Sequence, residues 1–188
     1  MITQSTKHIS DNLIEITTFD NDILYTIEVI DIHTCKRNGI YKEFFETGQL
    51  HVEFNYINGQ LHGPCKSYYI NGQLWFEKNY LNGIAHGSYK SYYSNGQLSY
   101  EMNHINGECH GPYKEYYSNG QLNVETNYLD EEYHGLYKEY YSNGQLKVET
   151  NYINGQLHGT YKTYYINSQL FVDENYINGE LQHDKTIN

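Results

Sequence analysis

A 24-residue internal repeat constrains this chain more than any other feature. His-Gly recurs at His62-Gly63, His86-Gly87, His110-Gly111, His134-Gly135 and His158-Gly159, 24 residues apart each time, and Asn38-Gly39 takes the place one step upstream. Each unit continues with Tyr-Lys, Tyr-Tyr and Ser-Asn-Gly-Gln-Leu steps. Tyr113 to Tyr128 and Tyr137 to Tyr152 differ only at Asn123 against Lys147. A unit of this length is one supersecondary element that buries its surface against its neighbours. Six units follow: 38–61, 62–85, 86–109, 110–133, 134–157 and 158–181. Residues 1–37 precede them and a polar tail, 182–188, closes the chain.

Each unit reads as two strands. Asn143-Gly144 lies between a run ending at Tyr141 and a run starting at Gln145, and Asn-Gly suits a two-residue type I′ turn with positive φ at both positions. That turn places Tyr141 opposite Leu146, Glu139 opposite Val148 and Lys138 opposite Glu149. The last pair recurs as Lys42 with Glu53, Lys66 with Glu77, Lys90 with Glu101, Lys114 with Glu125 and Lys162 with Asp173, which is what cross-strand charge pairing selects. Tyr137, Tyr141, Leu146, Val148 and Tyr152 then share an apolar face, and Lys138, Tyr140, Glu149 and Asn151 the other. A second Asn-Gly, as at Asn154-Gly155, links most units. Tight turns at both ends would slide the ladder by two residues per repeat, so a bulge or looser link is expected around Gln156 to Gly159. Residues 12–31 alternate as a divergent hairpin that covers the first edge, and residues 1–11 and 182–188 are expected to fray. The expected fold is all-β: an elongated, open antiparallel meander of about fourteen strands in a single-layer twisted sheet, with negligible helix.

Composition narrows the functions. The net charge is −11 with 23 tyrosines in 188 residues. Phosphate binding needs excess Lys and Arg, which argues against nucleic acid and against an anionic membrane surface. Cys35, Cys65 and Cys109 have no motif spacing, and neither a signal segment nor a long apolar run is visible. An intracellular, cytoplasmic setting is the expectation.

The run His134-Gly135-Leu136-Tyr137-Lys138-Glu139-Tyr140-Tyr141-Ser142-Asn143-Gly144 resembles the MORN repeat in its variant form, and the resemblance covers about 144 of 188 residues. It implies an open sheet of consecutive hairpins and a scaffolding role, with no catalytic residue. Proteins of this variant include bacterial ones of the YwqK type, described as antitoxins, and many from giant DNA viruses. MORN-type arrays also associate end to end, which suggests a homodimer through the last repeat.

Three ladders are candidate sites. The histidines are spaced by two strands, roughly 9–10 Å, too far for neighbours to share one ion held at ~2 Å; they read as turn residues, and no metal or cofactor is expected. The Lys/Glu ladder is repeated six times, whereas catalytic sites are singular. The tyrosines differ: Tyr68, Tyr92, Tyr116, Tyr140 and Tyr164 are each followed by another Tyr, so one of each pair lies beside Lys66, Lys90, Lys114, Lys138, Lys162 and Glu77, Glu101, Glu125, Glu149. Aromatics beside charges suit a protein-binding face. The expectation is therefore a non-enzymatic scaffold for a protein partner. The alternatives are an antitoxin that masks a toxin and a carbohydrate-binding module; scarcity of Trp argues against the latter.

Overall fold

The structure is a computed structural model that describes residues 1–182. Its strands fall into two compact units, Met1–Gly96 and Gln97–Asn188. The first holds β1 (Ile2–His8), β2 (Leu13–Asp20), β3 (Ile23–Asp31), β4 (Arg37–Phe44), β5 (Leu50–Ile57), β6 (Gln60–Leu61), β7 (Gly63–Tyr68), β8 (Leu74–Leu81) and β9 (Ile84–Tyr92). The second holds β10 (Leu98–Ile105), β11 (Glu108–Cys109), β12 (Gly111–Tyr116), β13 (Leu122–Leu129), β14 (Glu132–Tyr133), β15 (Gly135–Tyr140), β16 (Leu146–Ile153), β17 (Gln156–Tyr164), β18 (Leu170–Ile177) and β19 (Glu180–Leu181). Within each unit the strands pair antiparallel in chain order, β6, β11 and β14 each sharing a partner with the strand that follows, as β6 and β7 both pair with β5, and no helix occurs among the described residues. The fourteen expected strands are present. The other five are β1 and four two-residue pieces, β6, β11, β14 and β19, each cut from the strand after its link turn or, for β19, following the last such turn.

The two Asn-Gly steps exchange the geometries expected of them. Ser142-Asn143-Gly144 is a three-residue loop: Gly144 N donates to Tyr141 O and Tyr141 N to Gln145 O, both at 2.8 Å. Gly144 has a φ of 85°, and Asn143 is not among the positive-φ residues. Asn143 Oδ1 instead accepts from Gln145 N at 3.0 Å. The tight two-residue turn is the link, where Asn154 and Gly155 have φ of 49° and 72° and Ile153 pairs with Gln156.

The Lys138–Glu149 pair survives this exchange for a simple reason. A three-residue loop moves the register by one, and Lys147 is an extra residue that moves it back, since Glu139 faces Val148 while Tyr140 faces Leu146. Tyr141 therefore does not face Leu146, and Leu146 joins the face of Tyr140. At the link, Tyr152 faces Leu157 but Thr150 faces Tyr161. The two extra residues of this bulge surround Gly159, φ 88°, and cancel the two-residue slip at the expected place.

The N-terminal hairpin is β2 and β3, as expected. Residues 2–8 do not fray; they pair along their length with β2, from Ile2 opposite Asp20 to His8 opposite Ile14. Polar, exposed residues make a strand here because an open edge supplies backbone partners whatever the side chains. The expectation for residues 183–188 lies outside the described residues.

The core is thin. Val29 is buried on the face of Lys42. The other buried members are small apart from His104: Thr18, Thr26, Val52, Cys65, Ser67, Ser91, Val124, Thr126 and Thr150, with Cys65 at 2% exposure in the place of a ladder Tyr. They lie on the face of Tyr137 and Tyr152, where Thr126 faces Tyr113 and Thr150 faces Tyr137. A large ring thus stands beside a small residue on the neighbouring strand, which lets the two pack on one level of the sheet face.

Candidate partner-binding face

The register aligns the charged ladder into one rung in each unit. In the first, Lys42, Glu53, Lys66, Glu77 and Lys90 follow strand by strand. In the second, Glu101, Lys114, Glu125, Lys138, Glu149, Lys162 and Asp173 do so. Signs alternate at every strand. Ion pairs close at 2.9 Å for Lys42–Glu53, 3.4 Å for Lys66–Glu77 and 3.7 Å for Lys162–Asp173. The Glu77 charge raises the Lys66 ammonium above its ordinary range.

The first tyrosine of each pair lies two residues along the strand from its lysine and so on the same face. Tyr68, Tyr92, Tyr116, Tyr140 and Tyr164 are all half-buried. In the second unit the two ladders touch: Tyr140 Oη donates to Glu125 at 2.7 Å and Tyr116 Oη to Glu101 at 3.3 Å. Burial, and then Glu125, push the Tyr140 phenol up to about 12. Burial is also the main reason that Tyr116 is raised. The hydroxyls are thus turned to the rung, and the rings remain as apolar surface.

Sequence reasoning missed what the second tyrosine does. Tyr69 Oη donates to Tyr92 O, Tyr117 Oη to Tyr140 O and Tyr141 Oη to Tyr164 O, at 2.8–2.9 Å. Each stitches one hairpin loop to the next repeat. The link turns are stitched by backbone instead: Gly59 N donates to Arg37 O, Gly83 N to Leu61 O and Gly155 N to Tyr133 O. It also missed the bulge position. His51, Asn123 and Lys147 reach back to Glu43, Glu115 and Glu139 at 3.2, 2.9 and 2.6 Å, while Trp75 and Phe171 pack on Tyr69 and Tyr165 at 5.9 and 4.7 Å between centroids. The signal in the sequence was that this place differs in every repeat, as His51, Trp75, Ser99, Asn123, Lys147 and Phe171.

Hairpins with these loops and stitches are matched by the MORN repeat variant at residues 37–58, 61–82, 85–106, 110–130, 133–154 and 157–178. The chain belongs to the MORN repeat variant family. No curated protein matches it.

In these MORN repeats the histidine ladder serves the turns. His62 Nδ1 meets Asn82 Oδ1 and His158 Nδ1 meets Asn178 Oδ1, both at 3.3 Å, and His110 Nδ1 lies 3.7 Å from Asp130 Oδ1. These three histidines thus touch the link turn at the far end of their own repeat, whereas His134 Nδ1 is buried without a hydrogen-bond partner among the described residues. Among the described residues no group of three His, Cys, Asp or Glu converges as metal ligands would. Burial raises the Cys65 thiol, which works against thiolate chemistry. Cys109 Sγ sits 3.6 Å from Met102 Sδ, and Cys35 is exposed. No helix among the described residues is long and apolar enough to cross a membrane.

Proposed function

We propose that this MORN repeat protein is a non-catalytic scaffold that holds a protein partner on the face of the charged rung. The observation that carries it is the contact of the two ladders at Tyr116–Glu101 and Tyr140–Glu125. Polar atoms there satisfy one another within the chain, so a partner that covers the ring faces leaves no hydroxyl unpaired. Five equivalent charge pairs within the two units distribute contact along a surface instead of concentrating reactivity at one centre. Half-exposed aliphatics add apolar area on the same side, Leu136 at 42% and Ile153 at 44%.

The test is affinity capture from the native host with mass spectrometry, run with the parent chain and with Tyr116→Ala/Tyr140→Ala. The double variant should keep its β-rich spectrum and lose the partner. Retention of the same partner by the variant would refute this face. Among the described residues no strand pairs with Leu170 to Glu174 on the outer side of β18, where β19 meets only Tyr176 and Ile177. We infer a homodimer through this edge, because unpaired strand groups recruit a second strand. Sedimentation should show a dimer that Val172→Pro converts to monomer; a parent chain monomeric at all concentrations would refute it.

A further inference from the structure

A hollow of about 450 Å³ opens where the N-terminal hairpin meets the first repeat, within the first unit. Leu13, Ile27 and Val29 form its floor, and Ile9 and Ile40 its rim. The rim residues are 51% and 44% exposed. The glycine here packs differently from its counterparts in the later repeats. Gly39 packs so closely on Val29 that a Cβ would lie 3.0 Å from it, whereas at the same place in the later repeats Gly63, Gly111, Gly135 and Gly159 face open space and Gly87 meets only Asn79 Cβ at 3.5 Å.

Two charged groups line the hollow, Glu15 and Lys42. Lys42 is neutralised by Glu53 at 2.9 Å. Glu15, part-buried on β2, forms no hydrogen bond or ion pair among the described residues. Its register neighbour Lys7 is exposed and makes no ion pair with it. A half-buried carboxylate in an apolar hollow gains most from a cation that brings its own apolar stem. An open rim with exposed isoleucines suits a side chain presented by a larger body better than an enclosed small molecule.

We infer that this hollow is an anchoring site for a lysine side chain of a protein partner, with the ammonium at Glu15, the alkyl stem over Ile27 and Val29, and flanking apolar residues on Ile9 and Ile40. The net charge of −11 draws a basic partner to it. The inference rests on the scaffold reading and names the chemistry of one anchor.

The probe is a blocked five-residue peptide with a central lysine between two leucines, titrated into the full chain while methyl NMR signals of Leu13, Ile27 and Val29 are followed. These signals should shift to saturation. Replacing the lysine by norleucine, or Glu15 by Gln, should weaken binding by at least about tenfold, as loss of a charge-assisted bond does. Ile40→Ser, at an exposed rim position, should weaken it by a smaller factor with the fold intact. Equal binding of the norleucine peptide, no effect of Glu15→Gln, or shifts confined to other regions would overturn the inference. So would n-hexylammonium binding as tightly as the peptide, which would make this a small-cation site. If the peptide fails while capture through Tyr116 and Tyr140 succeeds, this inference alone falls; if capture fails while the peptide binds, the rung face falls.

Discussion

The loop Ser142-Asn143-Gly144 and the link Asn154-Gly155 share a dipeptide and little else. In the loop only Gly144 has positive φ, and asparagine works through its side chain, accepting the Gln145 amide. In the link both residues have positive φ, and asparagine works through its tolerance of that backbone. The loop is stitched to the next repeat by a tyrosine hydroxyl and the link to the previous repeat by a glycine amide. One dipeptide thus serves two geometries, and the strand residues around it decide which.

The comparison breaks most sharply at the asparagines. Asn154→Val puts a β-branched residue at a φ of 49° and should cost about 1–3 kcal/mol. Asn143→Val loses one hydrogen bond at an ordinary φ and should cost about 0.5–1.5 kcal/mol. Denaturant unfolding of the two variants measures the gap; equal losses would remove the distinction between the turns. Since repeats couple to their nearest neighbours, hydrogen exchange should show the damage confined to adjoining repeats.

Tyr117→Phe tests the stitches. It removes the hydroxyl that reaches Tyr140 O at 2.8 Å and should cost about 1 kcal/mol. The backbone stitch at the link has no side-chain counterpart to delete. A melting curve unchanged by Tyr117→Phe would mean that the loop edge is held by its strands alone.

Two natural departures run the experiment in reverse. Ser168 stands in the glycine place of the last hairpin loop with a φ of 65°, and Glu131 in that of a link with a φ of 69°. Both side chains are strained there. Ser168→Gly and Glu131→Gly should each stabilise by about 0.5–1 kcal/mol, the relief exceeding the added freedom of the unfolded chain. A lower melting temperature for either would contradict the assigned backbone.

The smallest effect belongs to the rung that both turns keep in line. Glu53→Gln removes a charge pair whose side chains are 33% and 30% exposed and should cost about 0.2–1 kcal/mol. Double-mutant cycles with Lys42→Met measure the coupling; a value far above that range would make the rung a stabilising network instead of a surface feature.

The period, the two strands per unit, the Lys/Glu pairing and the need to absorb a two-residue slip could all be read from the sequence. They depend on alternation and on spacing, which one chain displays in full. The pairing of Lys138 with Glu149 came out right although the turn beside it did not, because a three-residue loop with one bulged residue preserves the same register as a two-residue turn. The candidate face was half legible. Tyr140 was placed beside the charges, but the role of Tyr141 was not, since its partner is a backbone oxygen 23 residues away.

The sequence by itself determined a repeated hairpin, its register and the sorting of Lys138, Tyr140 and Glu149 onto one face, because these follow from local backbone chemistry repeated every 24 residues. Only the tertiary structure decided which Asn-Gly is the tight turn, that residues 2–8 form a strand, and that Glu15 lines an apolar hollow without an ion pair among the described residues. Each of these depends on which strands become neighbours: an edge recruits a polar segment, a bulge trades against a loop, and a carboxylate loses or keeps its partner according to the strand set against it.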